Sequence, residues 1–155
     1  MASKETVKQQ LKENLRLLEK SMEHLDFSYQ KCRGLNLSKD LSEETLEDLE
    51  AFASRFARTA DIFTQKVVAG LLLLLQEDIA TFIDRMNFCE KIRLIPSADS
   101  LVEIRALRNA VAHEYRQTNL LELYGKILEL TPNLNQSISL AKEFLQKKNL
   151  FDGKP

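Results

Sequence analysis

Glycine, proline and cysteine are scarce in this sequence, with four, three and two respectively among 155 residues. So few turn formers argue against a fold made of many short strands and tight turns. Cys32 and Cys89 are far apart, form no Cys-x-x-Cys pair and have no nearby histidine partner, so neither a disulfide framework nor a structural zinc site is expected. Reduced thiols, and no metal or cofactor, are the expectation. An excess of charge of one sign is also missing: 22 Lys and Arg stand against 23 Asp and Glu. No global positive field can attract nucleic acid, and any such contact must be local. Long hydrophobic runs are absent too. The most apolar stretch, Val67 to Leu75, has nine residues, where a helix needs about 20 to cross a bilayer. The opening residues show no apolar leader pattern. A cytoplasmic protein without membrane contact is expected.

Leucine is abundant. The 27 Leu outnumber 13 Val plus Ile, a balance that favours helices over sheets. The expected fold is all-α, an up-and-down bundle of about five helices forming a single domain over residues 1–155. Val7, Leu11, Leu15, Leu18, Met22, Leu25 and Tyr29 mark the apolar stripe of a first helix from about Lys4 to Lys31, closed by Gly34. Ser42 can cap a second, with Glu43 and Glu44 in its first turn. Its stripe, Leu46, Leu49, Phe52, Phe56, Ala60, Phe63 and Val67, continues through Gly70, where a bend is possible, into a leucine block expected in the core. A third helix is expected from Asp78 towards Pro96. The fourth can be capped by Ser97 or Ser100; the Ser100 and Glu103 spacing of a capping box places its start near Ser100, with its end near Tyr115. A last stripe from Leu120 to Leu145 keeps its phase across Pro132 and reads as one helix kinked there.

The two histidines differ in setting. His24 falls in the charged phase of the first helix and is expected to be solvated. His113 lies in Arg108-Asn109-Ala110-Val111-Ala112-His113-Glu114-Tyr115. On a helical wheel Arg108 and Tyr115 are about 20° apart, and Asn109 and His113 about 40° apart. Ile104, Leu107 and Val111 hold the opposite side, so this polar strip can line a groove. Arginine presents a fixed fork of donors that fits phosphate oxygens, and histidine exchanges protons near neutral pH. Together they suit phosphodiester chemistry. In metal-free RNA cleavage a 2′-hydroxyl attacks the adjacent phosphorus, which requires proton transfer at two oxygens and charge balance on the phosphorane. Asn109 is placed to position the imidazole or the substrate.

The Arg-Asn-x-x-x-His-x-Tyr segment is preceded by Lys91-Ile92-Arg93-Leu94-Ile95-Pro96-Ser97-Ala98-Asp99 and Ile104-Arg105-Ala106-Leu107. This combination resembles the HEPN superfamily, and most closely its HepT-like branch, the toxin half of HEPN/MNT toxin-antitoxin pairs. The specific motif covers about Lys91 to Tyr115, while the helix order covers most of the chain. The resemblance implies a metal-independent endoribonuclease acting as a homodimer, with Arg108 and His113 catalytic, Asn109 supporting, and both protomers facing one cleft. It also implies an MNT-type nucleotidyltransferase antitoxin that transfers AMP to Tyr115. A two-fold dimer would supply the second imidazole that two proton transfers ask for, and AMP on Tyr115 would add anionic charge where RNA binds. The alternative within the same family is a non-catalytic adaptor or substrate-binding partner of a nucleotidyltransferase. A plain helical scaffold, with Glu103 and Glu114 neutralising the strip, is the third reading.

Arg105 and Arg116 are expected substrate contacts, beside Arg85, Lys91 and Arg93. Asp84, Glu90, Asp99, Glu103 and Glu114 are interleaved with these cations, so weak, strongly salt-dependent RNA binding is expected. Phe52, Phe56 and Phe63 fall at core spacing rather than on a base-stacking surface.

Overall fold

The computed structural model of the chain describes residues 3–38, 40–113 and 119–148. Every regular element among them is helical: α1 (Lys4–Cys32), α2 (Glu43–Asp61), a π-helical segment (Ile62–Val68), α3 (Ala69–Leu74), α4 (Phe82–Lys91), α5 (Ala98–Ala112) and α6 (Leu120–Lys147). Because α2, the π segment and α3 follow without interruption, the described chain forms five rods. The all-α bundle expected from leucine content and periodicity is what the structure shows. No helix among the described residues is long and apolar enough to cross a membrane.

α1 packs along α2, the π segment and α3, while α5 sits between α2 and α6, and α6 returns against α1 and α2. The shorter α4 packs on α5. The buried apolar side chains form one cluster drawn from every rod. On α1 the deepest apolar positions are Leu11, Leu18, Leu25 and Cys32, and a parallel row of Asn14, Ser21 and Ser28 is buried beside them. Both rows repeat every seven residues, the spacing that keeps one helix face against a neighbour. The polar row is tied across to α2. Ser21 and Thr59 hydroxyls lie 2.6 Å apart, Thr59 donates to the Arg55 carbonyl at 2.8 Å, and Arg55 Nη1 donates to Ser28 Oγ at 2.8 Å. His24 is exposed, as expected, and contributes its backbone carbonyl to Arg55.

Helix caps follow local chemistry. Ser3, Ser42, Thr81, Ser97 and Asn119 each accept a backbone N–H of the first turn, which satisfies donors that no helical carbonyl can reach. Ser97, not Ser100, caps α5, so the helix starts at Ala98 rather than near Ser100. Glu90 on α4 explains the shift: its Oε1 accepts the Ala98 N–H at 2.7 Å while Ser97 Oγ accepts that of Ser100 at 3.2 Å. The capping box expected from Ser100 and Glu103 therefore gives way to Ser97 and Glu90, three and eight residues upstream of the amides they accept.

Two helices end in the same way, without a stop signal in the sequence. α3 stops at Leu74, with Gln76 at φ 60; the Glu77 N–H donates to the Leu72 carbonyl at 2.9 Å and that of Gln76 to Leu73 at 3.0 Å. α4 stops at Lys91, with Arg93 at φ 64, and the Leu94 and Arg93 amides return to Cys89 and Glu90 at 2.8 and 3.0 Å. This left-handed closure usually uses glycine. Here it uses glutamine and arginine, so the sequence carries no stop signal at either place. α4 accordingly begins at Phe82 rather than Asp78 and ends before the Ile92–Pro96 stretch.

Phe52, Phe56 and Phe63 are fully buried, as expected of packing residues. Within the leucine block Leu71, Leu72 and Leu74 are buried, but Leu73 is 65% exposed, and Ile83 on α4 is 58% exposed. The helical irregularity lies at Ile62–Val68, upstream of Gly70. In the wider π turn three consecutive residues, Ile62, Phe63 and Thr64, are all buried, which a regular helix of 3.6 residues per turn seldom allows. Gly70 is helical, and its role is close approach: a Cβ there would sit 3.3 Å from Leu11 Cδ1. α6 runs through Pro132 as one helix. Pro132 has no N–H to give, while Thr131 bonds the Ile127 carbonyl with its hydroxyl at 2.7 Å.

Candidate functional site

α5 carries the polar strip. Leu101, Ile104 and Leu107 are buried beneath it and Val111 is half-buried, so the helix is anchored on the side opposite the functional residues. Facing it is the junction of α2 with the π segment. Between them lies a cleft of about 720 Å³ whose lining includes Arg58, Asp61, Gln65 and Lys66 from that junction and Arg105, Arg108 and Asn109 from α5.

Arg108 crosses to α2. Its Nε donates to both carboxylate oxygens of Asp61, at 2.8 and 3.0 Å, with the two side chains 35% and 39% exposed. The hydrogen bond to Asp61 raises the guanidinium's already high pKa, against a smaller lowering by burial, and the Asp61 charge adds a still smaller rise. The residue is a fixed cation. Because both bonds come from Nε, the Nη hydrogens stay outside this pairing and retain the geometry that suits a phosphate oxygen. Asp61 is a site residue that sequence reading misses. It stands 47 positions from Arg108 and has no motif of its own, and the carboxylates considered as partners, Glu103 and Glu114, are sequence neighbours.

Electrostatically, the fold sorts charges that are mixed along the chain. Among the described residues, Arg58, Lys66, Arg105 and Arg108 reach one cleft with a single carboxylate, Asp61. Arg58 and Lys66 are missing from the sequence-level set because they belong to a different helix. Arg105 has its guanidinium carbon 4.4 Å from the centroid of the Phe82 ring on α4. With Asn109 it also lines a second, shallower cleft of about 600 Å³ that includes Phe82, Ile83 and Val102.

The structure thus brings Arg105, Arg108 and Asn109 together. His113 comes at the end of the same helix. α5 ends at Ala112, and His113 caps it at φ −118 and ψ 25, with its N–H on the Ala110 carbonyl at 3.1 Å. Its side chain is exposed and is not part of the lining of the cleft that holds Arg108. Tyr115 and Arg116 lie outside the described residues, as does the expected end of the helix near Tyr115.

Among the described residues no group of three or more His, Cys, Asp or Glu side chains is placed to hold a metal ion. Cys89 and Cys32 are buried and free. Burial pushes the Cys89 thiol up to about 12, against a modest lowering by Arg85; burial and then the Asp48 charge raise that of Cys32, against a lowering by Lys31. Both stay protonated near neutral pH and are poor nucleophiles.

Comparison of the chain with models of known protein families, with curated proteins and with solved structures finds no match.

Proposed function

We propose that this chain is a metal-independent endoribonuclease of HepT-like type, the toxin half of a HEPN/MNT pair, which cleaves RNA in the cleft between α5 and the end of α2. The observation that carries the reading is the convergence of Arg58, Lys66, Arg105 and Arg108 on one cleft with Asn109. An anionic, extended ligand is the chemistry that such a lining favours. Arg108, oriented by Asp61, balances charge on the pentacoordinate phosphorus. His113 takes the proton of the attacking 2′-hydroxyl; the P–O5′ bond breaks, the leaving oxygen takes a proton from the His113 of a second copy, and a 2′,3′-cyclic phosphate and a 5′-hydroxyl result. The exposed position of His113 at the helix end suits delivery across a dimer cleft. AMP transfer to Tyr115 by a nucleotidyltransferase antitoxin is the proposed silencing step.

The test is incubation of RNA with purified protein in excess chelator. Wild-type protein should cut, and Arg108→Ala and His113→Ala should each abolish cutting. Absence of cleavage under every condition, together with tight binding of a nucleotidyltransferase, would instead establish the adaptor role.

A further inference from the structure

Arg105 is held differently from the other cations of the cleft. Its guanidinium carbon sits over the Phe82 ring at 4.4 Å; among the described residues the one carboxylate lining the cleft is engaged by Arg108, and no ion pair of Arg105 occurs. Phe82 lines the shallower cleft alone, whereas Arg105 lines both. The guanidinium therefore stands on the ridge between them, backed by an aromatic ring and bordering the cavity that holds Arg108. A cation held over a ring loses little further freedom when a second flat group covers it. Nucleobases stack on arginine planes as well as on aromatic rings.

We propose that Arg105, held by Phe82, is a base-stacking platform that seats the nucleobase next to the phosphate contacted by Arg108. This inference rests on the RNA reading of the cleft and adds that the ligand is recognised through a base and not only through its phosphates. The position suits single-stranded RNA, whose unstacked bases are available to such a platform. Arg105 is a specificity-determining contact in this scheme and moves no proton.

The experiment measures binding of an uncleavable 2′-O-methyl oligoribonucleotide about five nucleotides long, with and without its central base, to the full chain. Base stacking at one position corresponds to an effect on the order of 10-fold. The abasic oligomer should bind wild-type protein about 10-fold more weakly than the complete one. Arg105→Lys, which keeps the charge but not the plane, should erase that preference, and Phe82→Leu should reduce it. Equal binding of the two oligomers by wild-type protein, a preference that survives Arg105→Lys, or no binding of either would overturn the proposal. Cleavage of ordinary RNA is scored separately: a base preference in a protein that never cuts sinks the nuclease reading and leaves the platform standing, and cutting without a base preference does the reverse.

Discussion

Arg108 on α5 and Asp61 at the end of α2 are joined by two hydrogen bonds from a single nitrogen, at 2.8 and 3.0 Å. The pair fixes the guanidinium's position while leaving part of its fork outside the contact. With both side chains more than a third exposed, solvent screens the attraction, and the contribution to stability is about 1 kcal/mol or less. Asp61→Asn should therefore leave the urea midpoint nearly unchanged. It should also raise RNA affinity at low salt, because the cleft loses a negative charge that offsets Arg108. Turnover should fall, because the arginine loses its positioning. Salt-dependent binding and single-turnover cleavage measured on the same variant check both halves.

The buried Ser21–Thr59 contact makes a sharper stability prediction. Thr59 gives its proton to the Arg55 carbonyl, so Ser21 is the donor in the 2.6 Å contact between the hydroxyls. Thr59→Val strands the Ser21 hydroxyl and should cost about 1–3 kcal/mol. Adding Ser21→Ala should recover part of that loss. Chemical denaturation of the two single variants and the double variant gives the coupling directly.

Gln76 and Arg93 occupy left-handed backbone at φ 60 and 64, which costs a residue with a side chain about 1–2 kcal/mol. Replacing either with glycine removes the strain but adds freedom to the unfolded chain. The expected net gain is about 0.5–1 kcal/mol for each, seen as a higher midpoint with unchanged slope in urea.

The raised pKa of Cys89 sets a pH dependence. The thiol ionises at about 9.0 in its ordinary state and at about 12 when folded, so between these values the native state holds more protons than the unfolded state. Stability from this group is complete below about pH 9 and is lost as pH rises towards 12, with a limiting slope of about 1.4 kcal/mol per pH unit. Cys89→Ala should remove the Cys89 part of that slope in unfolding curves taken between about pH 8 and pH 10. Neither buried thiol should react with an alkylating agent before the chain unfolds.

The rods of this fold were legible wherever one apolar face met solvent on the other side. α1 and α6 show this best: their stripes indicate about Lys4 to Lys31 and Leu120 to Leu145, and the helices run Lys4–Cys32 and Leu120–Lys147. The ends at Leu74 and Lys91 were not, because the residues that turn the chain there are Gln76 and Arg93 and glycine is absent. The start of α5 was set by Glu90 across a loop, a tertiary partner that capping rules based on neighbouring residues do not contain. In the site, Arg105, Arg108 and Asn109 were legible because they share one helix. Asp61, Arg58 and Lys66 were hidden because only the packing of α2 on α5 brings them there. His113 follows Ala112, the last residue of α5, and lies outside the lining of that cleft.

The most direct measurement of the central claim is the chemistry of the cut ends. An oligoribonucleotide incubated with the protein in chelator, and a copy carrying 2′-deoxyribose at the cut position, are compared by mass spectrometry. Attack by the 2′-hydroxyl predicts a 2′,3′-cyclic phosphate and a 5′-hydroxyl from the first, no cut at that position in the second, and neither product with Arg108→Ala. Cleavage of the deoxy-substituted copy at the same rate, or full activity without the Arg108 guanidinium, would contradict the account.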